Sequence, residues 1–444
     1  MSEAEENPVL APPGAKRSIF SWCLYDWANS AFATVIITFV FSVFFTRGMI
    51  GDETLGAAWW GYAIALSGVI IAILGPFLGA VADHSGDRKK WIFWLSMMCI
   101  IPTAMLWYAQ PAVGPAPGIE GVVNLSNILF VLGCVVVANV GYELAIVFYN
   151  AMLTHVAPRH LLGRVSGWGW GVGYLGGLAA LAIALYGLVG TGDIEPWFKV
   201  TGMDSANIRA TGPLAALWFF VFMLPLLFFT RDAERMPMRF RSAALLGIKQ
   251  LWQSLREVRH HKNLAQFLVA SAIYRDGLNT LFTVGGIYAA GVYGMDLAEI
   301  LQFAIGLNIT AGLGAFCFAH LDDKIGSKPT VVISLVGLVL TGAAVLFAAD
   351  KEMFMWLALA LGIFVGPVQA ASRTLAGRLA PHGMINQTYG LYAFTGKSVA
   401  FIGPLLYGAA THYYGQQQAG MFTIILIWVI GLGLLSMVEE RRDD

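Results

Sequence analysis

Runs of about 20 apolar residues, parted by short polar or Pro/Gly-rich breaks, recur along almost the whole chain. A helix needs about 20 such residues to cross the hydrocarbon core of a bilayer. The pattern predicts twelve spanning helices, at roughly 19–45, 59–81, 91–109, 125–149, 164–188, 211–229, 265–290, 298–320, 330–349, 354–378, 389–410 and 420–437. The breaks carry turn chemistry: Gln110–Gly118 holds three prolines, and Thr411–Gln418 is polar and aromatic.

Composition agrees. Of 444 residues, 57% are hydrophobic and 12% charged, against about 25% charged in soluble domains. A soluble enzyme, a disordered chain, a collagen and a disulfide scaffold are excluded. Formal net charge is zero, so no global field draws nucleic acid. Cys23, Cys99, Cys134 and Cys317 all lie in apolar stretches and read as small buried hydrophobes. Residues 1–18 are polar, and the run after them is too long for a cleavable signal.

With the N-terminus inside, twenty of the 27 Lys and Arg fall on the cytoplasmic side and four outside. The positive-inside rule therefore places both termini in the cytoplasm. The expected organisation is a tail (1–18), a six-helix bundle (19–230), a cytoplasmic linker (231–262), a second six-helix bundle (263–437) and a tail (438–444). In the linker, Leu245, Ile248, Trp252, Leu255 and Arg259 recur at helical spacing, which predicts a basic amphipathic helix along the membrane surface. A solvated linker with some helix fits as well.

The halves repeat. Asp26-x-x-Asn29-Ser30-x-Phe32 matches Asp276-x-x-Asn279-Thr280-x-Phe282, offset by 250. Asp83-x-x-Gly86-x-Arg88 matches Asp323-x-x-Gly326-x-Lys328, offset by 240. Ala157-Pro158 with Gly167 and Gly173 matches Ala380-Pro381 with Gly390 and Gly396, offset by 223. Three matches in one order imply a duplicated six-helix unit. Parallel halves with a site between them are a transporter plan.

Six ionisable residues fall inside spans: Asp26, Glu143, Arg275, Asp276, Arg373 and Lys397. Each costs about 2.5–3.5 kcal/mol at a lipid-exposed helix centre, so they must face a wet cavity or one another. They are the candidate substrate or ion-binding residues, with Asn29 one turn from Asp26. Salt bridges that lock one conformation would give the same pattern. Glu143 with Lys397 is the expected gate. Tyr142, Tyr149, Asn150, Gln369 and Tyr174 are polar companions on nearby faces. The glycines of Gly167–Gly177 and Gly390–Gly403 permit close crossing or bending.

Enzyme chemistry is not expected. Gly390–Ser398 has five residues between its glycines where a phosphate loop needs four. The eight histidines sit in loops or at span ends, without metal-ligand spacing. No cofactor is implied.

Gly79-Ala-Val-Ala-Asp83-His-Ser-Gly86-Asp-Arg88-Lys89-Lys90 resembles the loop 2–3 signature of the major facilitator superfamily. Within it the chain resembles the autophagy-related vacuolar effluxer family, also called the unknown major facilitator family. Tyr25–Phe32, Phe148–Ala151, Ser166–Gly169, Tyr274–Gly277, Gly366–Arg373 and Gly390–Lys397 carry the resemblance. It implies the major facilitator fold, alternating access and solute efflux; fungal members are linked to export of neutral amino acids from the vacuole. It also implies that Asp83 and Arg88, with Asp323 at the repeat position, gate the outward-facing state. Glu143 replaces the arginine motif of many proton-coupled relatives, and the fifth helix lacks the Gly-Pro of drug/proton antiporters. The expected protein is a monomeric secondary transporter in a bacterial inner membrane, contacting lipid, a small polar or zwitterionic solute and protons, but no nucleic acid. Arg373 or Arg275 could meet a carboxylate, Asp26 or Asp276 an amine. Proton coupling would run through Asp26 or Glu143, since a carboxyl group in a dry site can switch. Efflux of amphipathic drugs or lipids is the alternative, and a non-transporting sensor a weaker one.

Overall fold

A computed structural model describes residues 15–50, 53–85, 88–110, 124–190, 195–200, 204–232, 261–295, 297–381 and 384–440. Among them all regular structure is helical, as a bilayer requires of a backbone that must satisfy its own hydrogen bonds. In the first half, α1 (Ala15–Ala31) runs on through wider π-helical turns to Ile50. It is followed by α2 (Glu53–Ser85), α3 (Arg88–Met105), α4 (Leu125–Val156), α5 (Leu162–Ala182) and α6 (Thr211–Phe229). The second half holds α7 (Lys262–Tyr293), α8 (Leu297–Ile325), α9 (Ser327–Leu346), α10 (Lys351–Leu379), α11 (Ile385–Val399), α12 (Ile402–Tyr414) and α13 (Gln417–Ser436). The surface helix expected within the linker falls almost wholly on 233–260, outside the described residues.

Nine helical segments among the described residues are long and apolar enough to cross a membrane. The run expected as one helix at 389–410 is broken between α11 and α12. Pro404 has no N–H for the carbonyl of Ala400, so the ladder cannot continue there. The freed first turn of α12 finds another acceptor: Gly403 donates its N–H to Asp276 Oδ2 at 2.7 Å. A carboxylate also suits the positive end of a helix.

Outward faces are apolar. Tyr62, Leu66, Val69 and Ile73 form an exposed stripe on α2, and Ile305, Ile309 and Leu313 another on α8. The chain is an integral, multi-pass membrane protein. Cys317 continues the α8 stripe and is exposed, whereas the other three cysteines are buried. The expectation of four buried cysteines fails at that position because an apolar site in a membrane helix can face lipid as well as core.

One hydrophobic core is built from residues between Trp22 and Leu226, another chiefly from residues between Leu264 and Val438. The repeat is visible in the caps. Asp232, after α6, accepts the Lys89 N–H at the start of α3 at 3.1 Å. Glu440, after α13, accepts the Ser327 and Lys328 N–H groups at the start of α9 at 3.1 and 2.7 Å.

The halves meet where α5 packs along α8 and α2 along α11. The glycines of α5 make the first crossing possible. A Cβ on Gly167 would lie 2.6 Å from the Ala315 carbonyl oxygen, a contact that backbone cannot yield. Gly167→Leu is therefore expected to lower the protein's stability by about 1–3 kcal/mol. Thermal unfolding in detergent checks this, and an unchanged midpoint would contradict the packing.

Candidate functional site

Helices α1, α4 and α5 of one half and α7, α8, α10 and α11 of the other surround a cavity of about 900 Å³. Its floor is polar and includes Asp26, Asn150, Arg373 and Tyr389; its walls run to Val43, Ile287 and Ile300 at the far ends of their helices. On the floor side the halves are pressed together, so the cavity reaches away from Arg88, Arg164 and Arg378.

Arg373 is the best-held charge. Its side chain is 4% exposed. Nη1 donates to Asp26 Oδ2 at 3.0 Å, Nε to Ser166 Oγ at 2.9 Å and Nη2 to the Ser166 carbonyl at 2.6 Å. Nη1 also lies 3.5 Å from Asn150 Oδ1. Trp22 and Trp170 stack on the guanidinium, at 4.8 and 5.7 Å to their ring centroids, which favours a cation. Tyr149 donates its hydroxyl to the same Asp26 oxygen at 2.7 Å. The glycine at 169 leaves the room: a Cβ there would fall 2.6 Å from Asp26 Oδ2 and 2.9 Å from Arg373 Nη2. This pair ties the first half to the second.

A second tie lies in the cavity wall, where Lys397 Nζ donates to Glu143 Oε1 at 2.7 Å. Both side chains are partly exposed, 31% and 23%. Asn29 is buried beside Asp26 and lines the cavity, and its Nδ2 has no hydrogen-bond partner among the described residues. Arg275 also lines the cavity. Asp276 does not: it is 3% exposed and turned to the α11–α12 break. The two aspartates of the repeat therefore occupy different surroundings, one on the cavity floor and one behind its wall.

Below the floor, the Arg164 N–H donates to Asp323 Oδ1 at 3.0 Å, and its Nε lies 3.2 Å from Oδ2. Across the repeat, Arg88 Nε donates to Asn386 Oδ1 at 2.9 Å, and its Nη1 lies 2.9 Å from His155 Nδ1. Arg378 joins Glu440 at 2.8 Å. Each of the first two contacts crosses from one half to the other. The side chain of Asp83 lies outside the described residues.

Sequence reasoning passed over Ser166, Tyr389, Arg164 and Asn386. The offset of 223 pairs Ser166 with Tyr389 and Asn150 with Arg373. The two hydroxyl residues serve the same arginine: Ser166 takes its guanidinium, and Tyr389 donates to its carbonyl at 2.8 Å. Carrying the offset through every polar residue would have found Ser166 and Tyr389.

Two helical bundles about a central cavity, crossed by opposite charges, define a major facilitator superfamily transporter. Solved structures agree on the fold. The proton:xylose symporter XylE superposes with a TM-score of 0.73 at 14% identity, covering 97% of each chain. A bacterial homologue of the iron transporter ferroportin, in an outward-facing state, gives 0.68 at 13% identity, covering 96% of this chain and 100% of that one. The chain belongs to the family described as vacuole effluxer Atg22 like, which it matches over residues 155–444, while residues 3–181 match the Major Facilitator Superfamily. An uncharacterized MFS-type transporter of Bacillus subtilis, YxiO, is 27% identical over 95% of both chains. Autophagy-related protein 22-1 of Aspergillus fumigatus is 26% identical over 63% of this chain, and the match spans about half (49%) of that longer protein.

Proposed function

We propose that the chain is a secondary active effluxer that moves a small polar or zwitterionic solute, neutral amino acids foremost, by proton-coupled alternating access. It crosses a bacterial inner membrane twelve times as a monomer. Both termini and the 231–262 linker lie in the cytoplasm, with six-helix bundles at 19–230 and 263–437. The cavity then opens outward and is closed toward the cytoplasm, where Arg88, Asp323 and their partners hold the halves together.

The observation that carries this reading is a pair of ties across the cavity, Asp26–Arg373 on its floor and Glu143–Lys397 in its wall, each joining one half to the other. Opening the cytoplasmic side must part both pairs. A solute able to replace one partner, or a proton on Asp26, would lower the cost of parting them. Kinship with the Atg22-like family supports efflux, and its fungal members support amino acids as the solute class.

Proteoliposomes loaded with labelled neutral amino acids test this. Gradient-driven efflux is expected to collapse with a proton ionophore, and in Asp26→Asn to be lost while solute exchange persists. Efflux indifferent to both would contradict proton coupling. A second reading, export of amphipathic compounds, is favoured by the aromatic upper wall, where Phe39, Phe282, Phe303 and Phe354 line the cavity. It predicts stabilisation by lipophilic cations that Arg373→Ala leaves unchanged.

A further inference from the structure

Five side chains that carry a formal charge line the cavity among the described residues: Asp26, Glu143, Arg275, Arg373 and Lys397. Four are matched within themselves, as Arg373 with Asp26 and Lys397 with Glu143. Arg275 is the one left over. No carboxylate among the described residues pairs with it, and its one hydrogen bond there runs from Nη1 to the Tyr392 carbonyl at 3.1 Å. An arginine carries five N–H donors in a planar fork, so most of its donor capacity is unspent.

The site around it is shaped. The guanidinium lies 4.0 Å above the centroid of the Tyr392 ring, a stacking that favours a cation there. One turn on, Gly396 supplies the space: a Cβ there would sit 3.0 Å from Nη1 and 3.2 Å from Cζ. Asn279, one turn along α7, lines the same wall. Asp276 is the next residue in sequence, but its carboxylate is bound to the first turn of α12 and faces away.

The neighbouring cations are poor anchors by comparison. Arg373 already gives Nε, Nη1 and Nη2 to protein oxygens, and Lys397 Nζ touches Glu143 at 2.7 Å. An incoming anion at either would compete with a carboxylate already in place, Asp26 at Arg373 and Glu143 at Lys397. At Arg275 no carboxylate among the described residues competes with it. The two pairs cancel, so the described lining carries one surplus formal positive charge, at Arg275.

We propose that Arg275 is the anchor for a carboxylate of the transported solute, received by the fork between Tyr392 and Gly396. This rests on the reading of the cavity as the solute site. It selects between the two arginines that the sequence left open, and it makes a carboxylate an obligatory part of the solute.

Thermal stabilisation and titration of the purified full chain test it. The probes are the neutral L-amino acids, simple monocarboxylates such as propionate and benzoate, and the amide of each. Carboxylate probes are expected to bind wild type and their amides not. Arg275→Gln should bind the carboxylates about ten- to a hundredfold more weakly, the value of a charge-assisted hydrogen bond. Arg275→Lys, which keeps the charge without the fork, should fall between. Since Arg275→Gln breaks no ion pair, it should melt as wild type does without ligand; if it does not, the comparison is read from Arg275→Lys against wild type. Amino acids binding Arg275→Gln as tightly as wild type would overturn the anchor and leave the amino-acid reading standing. Monocarboxylates binding through Arg275 while amino acids do not would keep the anchor and sink that reading. Amides binding as well as acids, or no carboxylate binding wild type, would overturn the anchor.

Discussion

Arg373→Ala is expected to abolish transport and to destabilise the conformation described above by about 3–5 kcal/mol. The reason is what the side chain leaves behind. Asp26 would stay on the cavity floor, 15% exposed, with its cation gone. The Ser166 hydroxyl and carbonyl would lose their donors as well. Removing one member of a buried pair costs far more than the pair is worth, because an uncompensated charge remains. Arg373→Lys is expected to recover part of the loss, since one ammonium can meet Asp26 but cannot also span both Ser166 oxygens. Lys397→Ala should cost much less, because that pair is partly exposed and water screens it. Thermal unfolding of the three variants in detergent checks the order. A wild-type midpoint for Arg373→Ala would contradict it.

Asp323→Ala is expected to loosen the closed side. Asp323 accepts from the Arg164 backbone and pairs with its guanidinium, so one side chain holds the start of α5 against the end of α8. Bonds to charged groups of this kind contribute about 1.5–3 kcal/mol each, and partial exposure of Arg164 reduces that. A shift of about 1.4 kcal/mol toward the opened state is a tenfold change in its population. Ala151 reports it well. It is fully buried on α4 yet belongs to the hydrophobic core of the second half, so it is uncovered when the halves part. Labelling of Ala151→Cys by a hydrophilic maleimide from the Arg164 side should quicken about tenfold in Asp323→Ala. Equal rates would show that this contact does not hold the gate.

The helices were legible because apolar length is a direct demand of the bilayer, written into sequence without help from tertiary contacts. The break at Ala400–Phe401 was legible only in part: Gly403-Pro404 marked it, but apolar content alone reads straight through. The exposure of Cys317 was not legible, because lipid and core ask for the same side chains. Five of the six intramembrane charges line the cavity, since a charge in a span has few other places to go. Asp276 differs from Asp26 for a reason local sequence does not hold: its partner is a backbone N–H created by the break in another helix. Nor could spacing alone show that Arg373 is fully engaged while Arg275 is not. That depends on Ser166 and Tyr392, which reach their arginines from other helices.

If the protein works by alternating access, a reversible cross-link across one side of the cavity should stop it. Cysteines at 164 and 323, in a chain whose four native cysteines are replaced, would be joined by a short cleavable thiol linker across the α5–α8 contact. Locked shut on that side, the protein is expected to move labelled neutral amino acids no faster than protein-free vesicles, and to recover when the linker is cleaved. Full flux through fully cross-linked protein would contradict the account.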